Sequence, residues 1–193
     1  MVAPELWGCS LLRCRFSGFT LVEVLVAMFV LALGVVGAAA TQVASARLRQ
    51  QATLESEAVQ LAASLGARMR VNAAQMALPD ASNPYLQFAY DARDGEPAPP
   101  PMHCFGTADC DPARMAAYDL YDTARIVRAA FPGGRIAVCR DAGGWNAALQ
   151  AFEWACTGGA NAPVVVKLGW RLPGRPGEEA SQGRPFITLV VAT

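Results

Sequence analysis

The chain has little histidine and none of the sequence motifs that typically mark acid–base or metal chemistry in enzymes. It contains one histidine, His103, and it lacks a G-x-S-x-G motif, a glycine-rich phosphate loop and the spacings typical of metal ligands. It also lacks a basic cluster, and its 16 basic and 16 acidic residues cancel. We therefore expect a protein that is not an enzyme and that has no cofactor, no metal and no clear nucleic-acid site.

Charge is also nearly absent from the stretch 19–40, which reads FTLVEVLVAMFVLALGVVGAAA and has Glu23 as its one charged residue. As a helix rising ~1.5 Å per residue this stretch is about 33 Å long, enough to cross the hydrocarbon core of a bilayer. A carboxylate in such a segment costs about 2.5–3.5 kcal/mol near mid-membrane and less towards the interface. Glu23 is therefore a functional candidate, and its expected partner is a cation.

Proline is absent between Pro4 and Pro79, which predicts one helix from Phe19 to about Ala77, some ~90 Å long. Its second half is amphipathic, and its apolar stripe should pack against a globular head. The stripe consists of Leu54, Ala58, Leu61, Leu65, Met69 and Met76. The predicted weak points of the helix are Gly34, Gly37 and Gly66, each costing about 0.5–1 kcal/mol relative to alanine.

A second helix follows a connecting loop over 80–101 that is rich in proline, aspartate and glycine. Asp111 has the position of an N-cap, Pro112 that of the first helical residue, and the sequence 131–134, FPGG, ends the helix. Asp119 and Asp122 share a face with Arg125 on this helix. The spacing predicts a solvated, salt-bridged surface rather than a pair of catalytic acids.

The pattern changes after position 135 to short apolar runs separated by glycine- and proline-rich turns. Strands that follow one another without intervening helices favour an antiparallel sheet. We therefore predict an α+β fold, in which the long N-terminal helix has a transmembrane first half and packs against a C-terminal antiparallel sheet with its second half. The predicted strands are Ile136–Cys139, Phe152–Cys156, 164–172 and 186–192.

The order of glycine, phenylalanine, threonine and glutamate at the start of the apolar helix resembles the N-terminus of a type IV prepilin. The resemblance implies that a prepilin peptidase cuts between Gly18 and Phe19, after a leader with a basic part at Arg13 and Arg15. It also implies that Phe19 becomes the N-methylated terminus. Glu23 would then contact the N-terminus of a neighbouring subunit.

Two other interpretations of the apolar segment compete with this one. Ala44-Ser45-Ala46 fits the A-x-A site of a signal peptide, although the apolar run is longer than the usual 7–15 residues and such a peptide gives Glu23 no role. A plain signal anchor fits the length and also leaves Glu23 without a role. The arginines before and after the segment are nearly balanced, so charge does not fix its orientation.

Cysteine usage places the head outside the cytoplasm. Two of the six cysteines, Cys9 and Cys14, fall in the leader that the resemblance implies. The remaining four permit three pairings, and the local pairing Cys104–Cys110 with Cys139–Cys156 closes short loops and suits an exported domain. We expect the second bridge to join neighbouring strands. Zinc is a weaker alternative, because the spacing is not C-x₂₋₄-C.

Three further segments resemble PilV-type minor pilins, also called type IV pilus modification proteins: residues 58–72, 110–134 and 164–170. The apolar segment lacks the proline that major pilins carry near Ala40, which also favours a minor pilin. The resemblance implies a subunit that helps initiate or cap a type IV pilus and so serves twitching motility, adhesion or DNA uptake. The alternatives are a minor pseudopilin of type II secretion and a membrane-anchored periplasmic binding protein that does not polymerise.

The same resemblance implies partners, a location and a division of the chain. The partners would be the prepilin peptidase, other minor pilins, the major pilin, a tip adhesin and the inner membrane. The protein would cross the inner membrane once with its head in the periplasm, and would later lie in the pilus at or near its tip. We expect a leader over 1–18, a transmembrane and assembly half-helix over 19–40, an amphipathic half-helix over 41–78 and a globular head over 79–193.

Overall fold

The computed structural model describes residues 18–106, 108–171 and 184–192, so Arg13, Arg15, Cys9 and Cys14 of the predicted leader lie outside the described residues. The chain divides into two compact units, Met1–Arg47 and Leu48–Thr193. The helices are α1 (Leu21–Val71), α2 (Ala73–Met76) and α3 (Pro112–Ala130), with short 3₁₀ turns at Asp80–Ser82 and Ala92–Asp94. The strands are β1 (Ala89–Asp91), β2 (Arg135–Arg140), β3 (Trp145–Asn146), β4 (Ala151–Phe152), β5 (Val164–Gly169) and β6 (Ile187–Ala192).

The predicted long helix is present, but it ends at Val71 and not near Ala77. Asn72 leaves the helical conformation with φ −89° and ψ 56°, and α2 begins after it. The buried side-chain amide of Asn72 donates to the carbonyl oxygen of Pro112 at 2.8 Å and to the hydroxyl of Tyr85 at 3.2 Å. These two bonds stabilise the break in the helix, because they satisfy the buried side-chain amide of Asn72. If the helix continued through Asn72, this amide would point away from both acceptors.

The sheet is antiparallel throughout, as predicted, with strand order β1-β2-β5-β6. Strand β1 lies within the stretch that we predicted to be a connecting loop. The predicted strand Phe152–Cys156 is wrong, because only Phe152 of that run is in a strand, and β4 pairs with β3 in a separate two-stranded sheet. The carbonyls of Glu153 and Ala155 instead accept from the Lys167 ammonium group, at 2.8 and 2.6 Å, which makes them unavailable for a strand ladder.

The apolar stripe of α1 packs against the sheet, as its spacing predicted. Ala58, Leu65 and Met69 are buried, and Leu54, Leu61 and Met76 pack around them half-buried. The opposite wall of the core comes from the inward residues of β2 and β5 and from the turn after α3. The residues of this wall are Phe131, Ile136, Val138, Val164, Val166, Leu168 and Trp170.

Gly66 marks the place where α1 and β6 come closest. A Cβ added at Gly66 would lie 2.7 Å from the Cβ of Val191, so any larger residue would force the helix and the strand apart. Arg70 donates to the carbonyl oxygen of Val191 at 2.8 Å one turn further along the helix. The glycine that sequence analysis treated as a weak point of the helix therefore allows the last strand to pack on it.

Helix α3 begins as predicted, since the carboxylate of Asp111 accepts from the backbone N–H of Arg114 at 2.8 Å and Pro112 is the first helical residue. The prediction for Asp119 is wrong, because Asp119 is buried and not part of a solvated surface. Its carboxylate accepts from Arg68 at 3.2 Å and from the hydroxyl of Tyr85 at 2.8 Å. Burial, followed by the hydrogen bond to Asp119, raises the pKa of Tyr85 above its ordinary value.

Asp122 keeps the predicted ion pair with Arg125 at 3.1 Å and adds a second with Arg68, also at 3.1 Å. Arg68 thus bridges two carboxylates of α3 from the side of α1 that does not belong to the apolar stripe. These charged contacts position α3 on the end of α1, next to the core.

Both predicted disulfides are present. Cys104 is bonded to Cys110, six positions away, and Cys139 to Cys156, 17 positions away. The second bridge does not join neighbouring strands as expected, because Cys156 lies in the irregular segment after β4. It closes an excursion over 141–157 that leaves β2 and carries the small β3–β4 sheet.

A buried ion pair anchors the same excursion. The Lys167 ammonium group on β5 and the Asp141 carboxylate are 2.5 Å apart, and their side chains are 0% and 1% exposed. Asp141 also accepts from the backbone N–H groups of Gly143 and Thr157, at 3.1 and 3.2 Å. The Lys167 ammonium group has three protons, which it donates to the Asp141 carboxylate and to the carbonyls of Glu153 and Ala155. Neither charge is therefore buried without partners.

Candidate processing and assembly site

The start of α1 brings together the residues that the sequence predicts for processing and assembly. Gly18 and Phe19 precede the first helical residue, Leu21, and are not helical. Phe19 is 80% exposed, and among the described residues no atom outside the neighbouring ones lies within 4 Å of a Cβ added at Gly18. No described residue therefore covers the bond between Gly18 and Phe19.

Thr20 caps the helix, a role that our sequence analysis missed. Its hydroxyl oxygen accepts from the backbone N–H of Glu23 at 3.3 Å, and its carbonyl accepts from the N–H of Val24 at 3.2 Å. The spacing T-x-x-E is that of a capping box and could have been recognised from the sequence alone. The cap places Glu23 in the first turn of α1, one turn from Phe19.

The capping position gives Glu23 a structural role as well as the predicted one. A carboxylate in the first turn interacts favourably with the helix dipole, typically by about 0.3–1 kcal/mol when exposed. That is less than the cost of about 2.5–3.5 kcal/mol for an acid near mid-membrane. Capping alone thus offsets only part of the cost if the segment enters lipid at that depth, and a cation from elsewhere would have to supply the rest.

The first unit exposes a continuous apolar surface. Every residue from Gly18 to Gln50 is exposed in the isolated chain. By length and composition α1 is the one helix in the described part of the chain that could cross a membrane, and none of its most apolar window is buried. Apolar surfaces of this extent on a single chain mark contacts with a membrane or with other proteins.

The remaining predicted site residues, Cys104, Cys110, Cys139 and Cys156, belong to the second unit, where they form the two disulfides. Among the described residues there is no group of three or more His, Cys, Asp or Glu side chains that could hold a metal ion. What the N-terminal site offers chemically is an accessible peptide bond, an amine after cleavage and one carboxylate.

Comparison with known families identifies this segment. Residues 13–39 match the prokaryotic N-terminal methylation motif. The chain has a prepilin-type N-terminus. The motif indicates a type IV pilin or pseudopilin, which implies processing by a prepilin peptidase, membrane anchoring and assembly with other pilins. No curated protein and no solved structure matches the chain.

The matched segment includes the non-helical residues 18–20 and the first part of α1. The match ends at residue 39, inside the exposed half of α1, and does not extend to the head. The arrangement of a long apolar-to-amphipathic helix followed by an antiparallel sheet is pilin-like.

Proposed function

We propose that this chain is a PilV-type minor pilin that helps initiate or cap a type IV pilus. The observation that carries the proposal is the combination at the start of α1: a Gly18–Phe19 bond that no described residue covers, a capped helix and Glu23 as the sole charge in the exposed apolar stretch 19–40. Cleavage would create an amine at Phe19 that is then methylated. In an assembled bundle of pilins, the amine of one subunit would pair with the Glu23 carboxylate of its neighbour.

Before assembly the protein would cross the inner membrane once, with the two-disulfide head in the periplasm, where such bonds form and persist. After assembly it would lie at or near the pilus tip, in contact with other minor pilins, the major pilin and a tip adhesin. It would serve twitching motility, adhesion or DNA uptake without being an enzyme. A minor pseudopilin of type II secretion is the second candidate, because pseudopilins share this N-terminus.

Glu23→Ala tests the assembly role. The variant should be processed and membrane-bound, because its helix is at least as apolar as that of the parent, but it should no longer co-purify with the other minor pilins. Glu57→Ala is the matched control, since it removes an exposed acid from the same helix within the second unit. Normal co-purification and normal numbers of surface pili in Glu23→Ala would show that Glu23 has no assembly role, and a parent chain that does not co-purify either would favour an anchored protein that does not polymerise.

Mass spectrometry tests the processing step separately. The mature protein should begin at an N-methylated Phe19, and Gly18→Arg should leave the precursor uncut, because an arginine side chain does not fit a site that accepts glycine. A mature terminus at Arg47 would instead indicate a signal peptidase acting after Ala46. To separate pilus from secretion, pilus number and secretion should be measured in a strain that lacks the protein.

A further inference from the structure

Four aromatic side chains form a cluster on the surface of the head, beside the first half of α3. His103 and Phe105 flank Cys104 in the sequence, and Tyr118 and Tyr121 lie one turn apart on α3. The ring centre of His103 lies between 5.9 and 6.1 Å from the ring centres of the other three. We call these four residues the aromatic patch.

The aromatic patch lies outside the hydrophobic core. The described core of the head and the side chains packed against it include none of the four rings. Phe105 is 66% exposed and His103 is exposed as well, whereas the two tyrosines are half-buried. Cover for the tyrosines explains why the loop lies on α3, but it does not explain an exposed phenylalanine ring at the surface of that loop.

A disulfide and a helix cap hold the patch in place. Cys104, between the two loop residues of the patch, is bonded to Cys110. Asp111, which follows directly, caps α3 through its bond from the N–H of Arg114. The bridge therefore ties the loop to the start of the helix that carries the two tyrosines. Side chains that are fixed in this way lose little conformational entropy when a ligand binds.

The polar groups of the patch have no partner in the part of the chain that the structure describes. The other two tyrosines have bonded hydroxyls, since Tyr85 donates to Asp119 at 2.8 Å and Tyr90 to the carbonyl oxygen of Gly95 at 2.7 Å. No described residue bonds the hydroxyls of the patch tyrosines or the ring nitrogens of its histidine. The patch thus combines aromatic ring faces with polar groups that can donate to a ligand and accept from it.

Charge around the patch disfavours an anionic ligand. Arg125, one turn after the second tyrosine, is paired with Asp122 at 3.1 Å, and Arg114 is paired with Asp111 at 3.4 Å. Asp109, in the bridged loop, is exposed and has no ion pair with a described residue. The charge that remains beside the patch is therefore negative, and it would repel an anion.

We propose that the aromatic patch binds an uncharged sugar ring of a glycan. One face of a pyranose carries C–H groups that stack on aromatic rings, and its edge carries hydroxyls that donate and accept hydrogen bonds. An apolar protein segment would cover the rings but leave the phenol and imidazole groups without partners, which is unfavourable. A sugar satisfies both kinds of surface. Because all four rings belong to the head, this binding is independent of the proposed pilin function.

The first experiment measures sugar binding by NMR. The full chain, with ¹³C-labelled aromatic residues, is kept in an uncharged polyoxyethylene detergent, because a detergent with a sugar headgroup would compete. It is titrated separately with lactose, cellobiose and maltose. At least one of these disaccharides should shift the ring resonances of Phe105 and Tyr118 saturably, in the millimolar range.

Two substitutions separate stacking from hydrogen bonding. Phe105→Ala removes an exposed ring and should weaken the binding of that disaccharide about tenfold. Tyr118→Phe keeps the ring but removes the hydroxyl, and should weaken binding about threefold. Trp145→Ala is the matched control, since it removes a ring that is 51% exposed outside the patch, and it should leave binding unchanged.

Four results would overturn the proposal. They are the absence of a saturable shift with all three disaccharides, an equal loss of binding in Trp145→Ala, tighter binding of tetramethylammonium chloride, and tighter binding of N-acetyl-tryptophanamide. The third result would make the patch a cation site, and the fourth would make it a contact for an apolar protein segment.

The second experiment tests whether the disulfide positions the patch. Replacing Cys104 and Cys110 by serine frees the loop and should weaken sugar binding severalfold, whereas replacing Cys139 and Cys156 should leave binding unchanged. The indole resonance of the buried Trp170 reports whether each variant is folded. Unchanged binding in a folded Cys104→Ser, Cys110→Ser variant would overturn the positioning role of the bridge.

Discussion

The two halves of α1 have the same backbone conformation but opposite surroundings. Up to Gln50 every described residue is exposed, whereas Ala58, Leu65 and Met69 in the second half are buried in a core of the same chain. Helix formation is thus independent of where the apolar side chains find cover. The head covers the apolar side chains of the second half, whereas those of the first half require lipid or other subunits to cover them.

Breaking the buried ion pair between Lys167 and Asp141 should have the largest effect on the stability of the head. Lys167→Met removes the cation and leaves Asp141 buried and unpaired, which should lower the free energy of unfolding by about 3–5 kcal/mol. Chemical denaturation in detergent, followed by tryptophan fluorescence, measures this loss. Membrane association should not change, because the first unit makes no use of the pair.

Two further variants distinguish the pair from general damage. Lys167→Met combined with Asp141→Leu should recover only part of the stability, since both buried charges are then gone but the backbone groups that Lys167 and Asp141 bind lose their partners. Arg114→Met, which breaks an exposed pair with Asp111, should cost at most about 1 kcal/mol. A stable Lys167→Met protein would show that other contacts hold the excursion over 141–157.

The disulfide that closes the longer loop should contribute more to stability, because loop entropy grows with the logarithm of the loop length. Replacing Cys139 and Cys156 by serine should cost about 3 kcal/mol, and replacing Cys104 and Cys110 about 2 kcal/mol, because the loops span 17 and six positions. Denaturation of the two double variants measures both losses, and non-reducing peptide mapping of the parent checks the pairing. Equal losses would mean that native contacts, rather than loop entropy, set the effect.

Replacing glycine by alanine should have opposite effects on stability in the two halves of α1. Gly66→Ala should destabilise the head by about 1–3 kcal/mol, since the added methyl meets Val191. Gly37→Ala has open space around it and should raise helix stability by about 0.5–1 kcal/mol. Denaturation measures the first effect and far-ultraviolet circular dichroism of thermal melting in detergent the second.

Val191→Ala tests whether crowding against Val191 causes the loss of stability in Gly66→Ala. Combined with Gly66→Ala it should cost less than the sum of the two single changes, because the loss of Cγ1 of Val191 removes one of the two 2.7 Å contacts of the added methyl group. Strict additivity would show that the close approach of α1 and β6 does not set the cost.

The dependence of stability on pH should be the smallest effect and should be confined to the head. Burial opposes ionisation of Asp141, but hydrogen bonds from Lys167 and from the N–H groups of Gly143 and Thr157 outweigh it and lower the pKa of its carboxyl group. Such a group contributes stability above its unfolded pKa of about 3.9 and loses that contribution as the pH falls through the folded pKa. Unfolding free energies measured from pH 7 to pH 3 should fall at the acid end, and less so in the Lys167→Met, Asp141→Leu variant.

Local patterns were sufficient to predict α1, α3, the antiparallel sheet and both disulfides, because periodicity, capping and cysteine spacing act over a few residues. They were not sufficient for Asp119, whose partners Arg68 and Tyr85 lie 51 and 34 positions away. The irregular course after Phe152 depends in the same way on Lys167, a residue of another strand. At the candidate site, the Thr20 cap was a local signal and could have been predicted.

The packing of β6 on Gly66 has a consequence for the order of events in the export that we propose. The helix face that begins the core ends near position 69, while the strands that cover it start with β2 at position 135 and finish with Val191 of β6 beside Gly66. In the proposed export, the residues that follow the anchor emerge first and present this face long before β5 and β6 emerge. The apolar stripe would then remain partly uncovered until translocation ends, and a periplasmic chaperone would bind it during that interval.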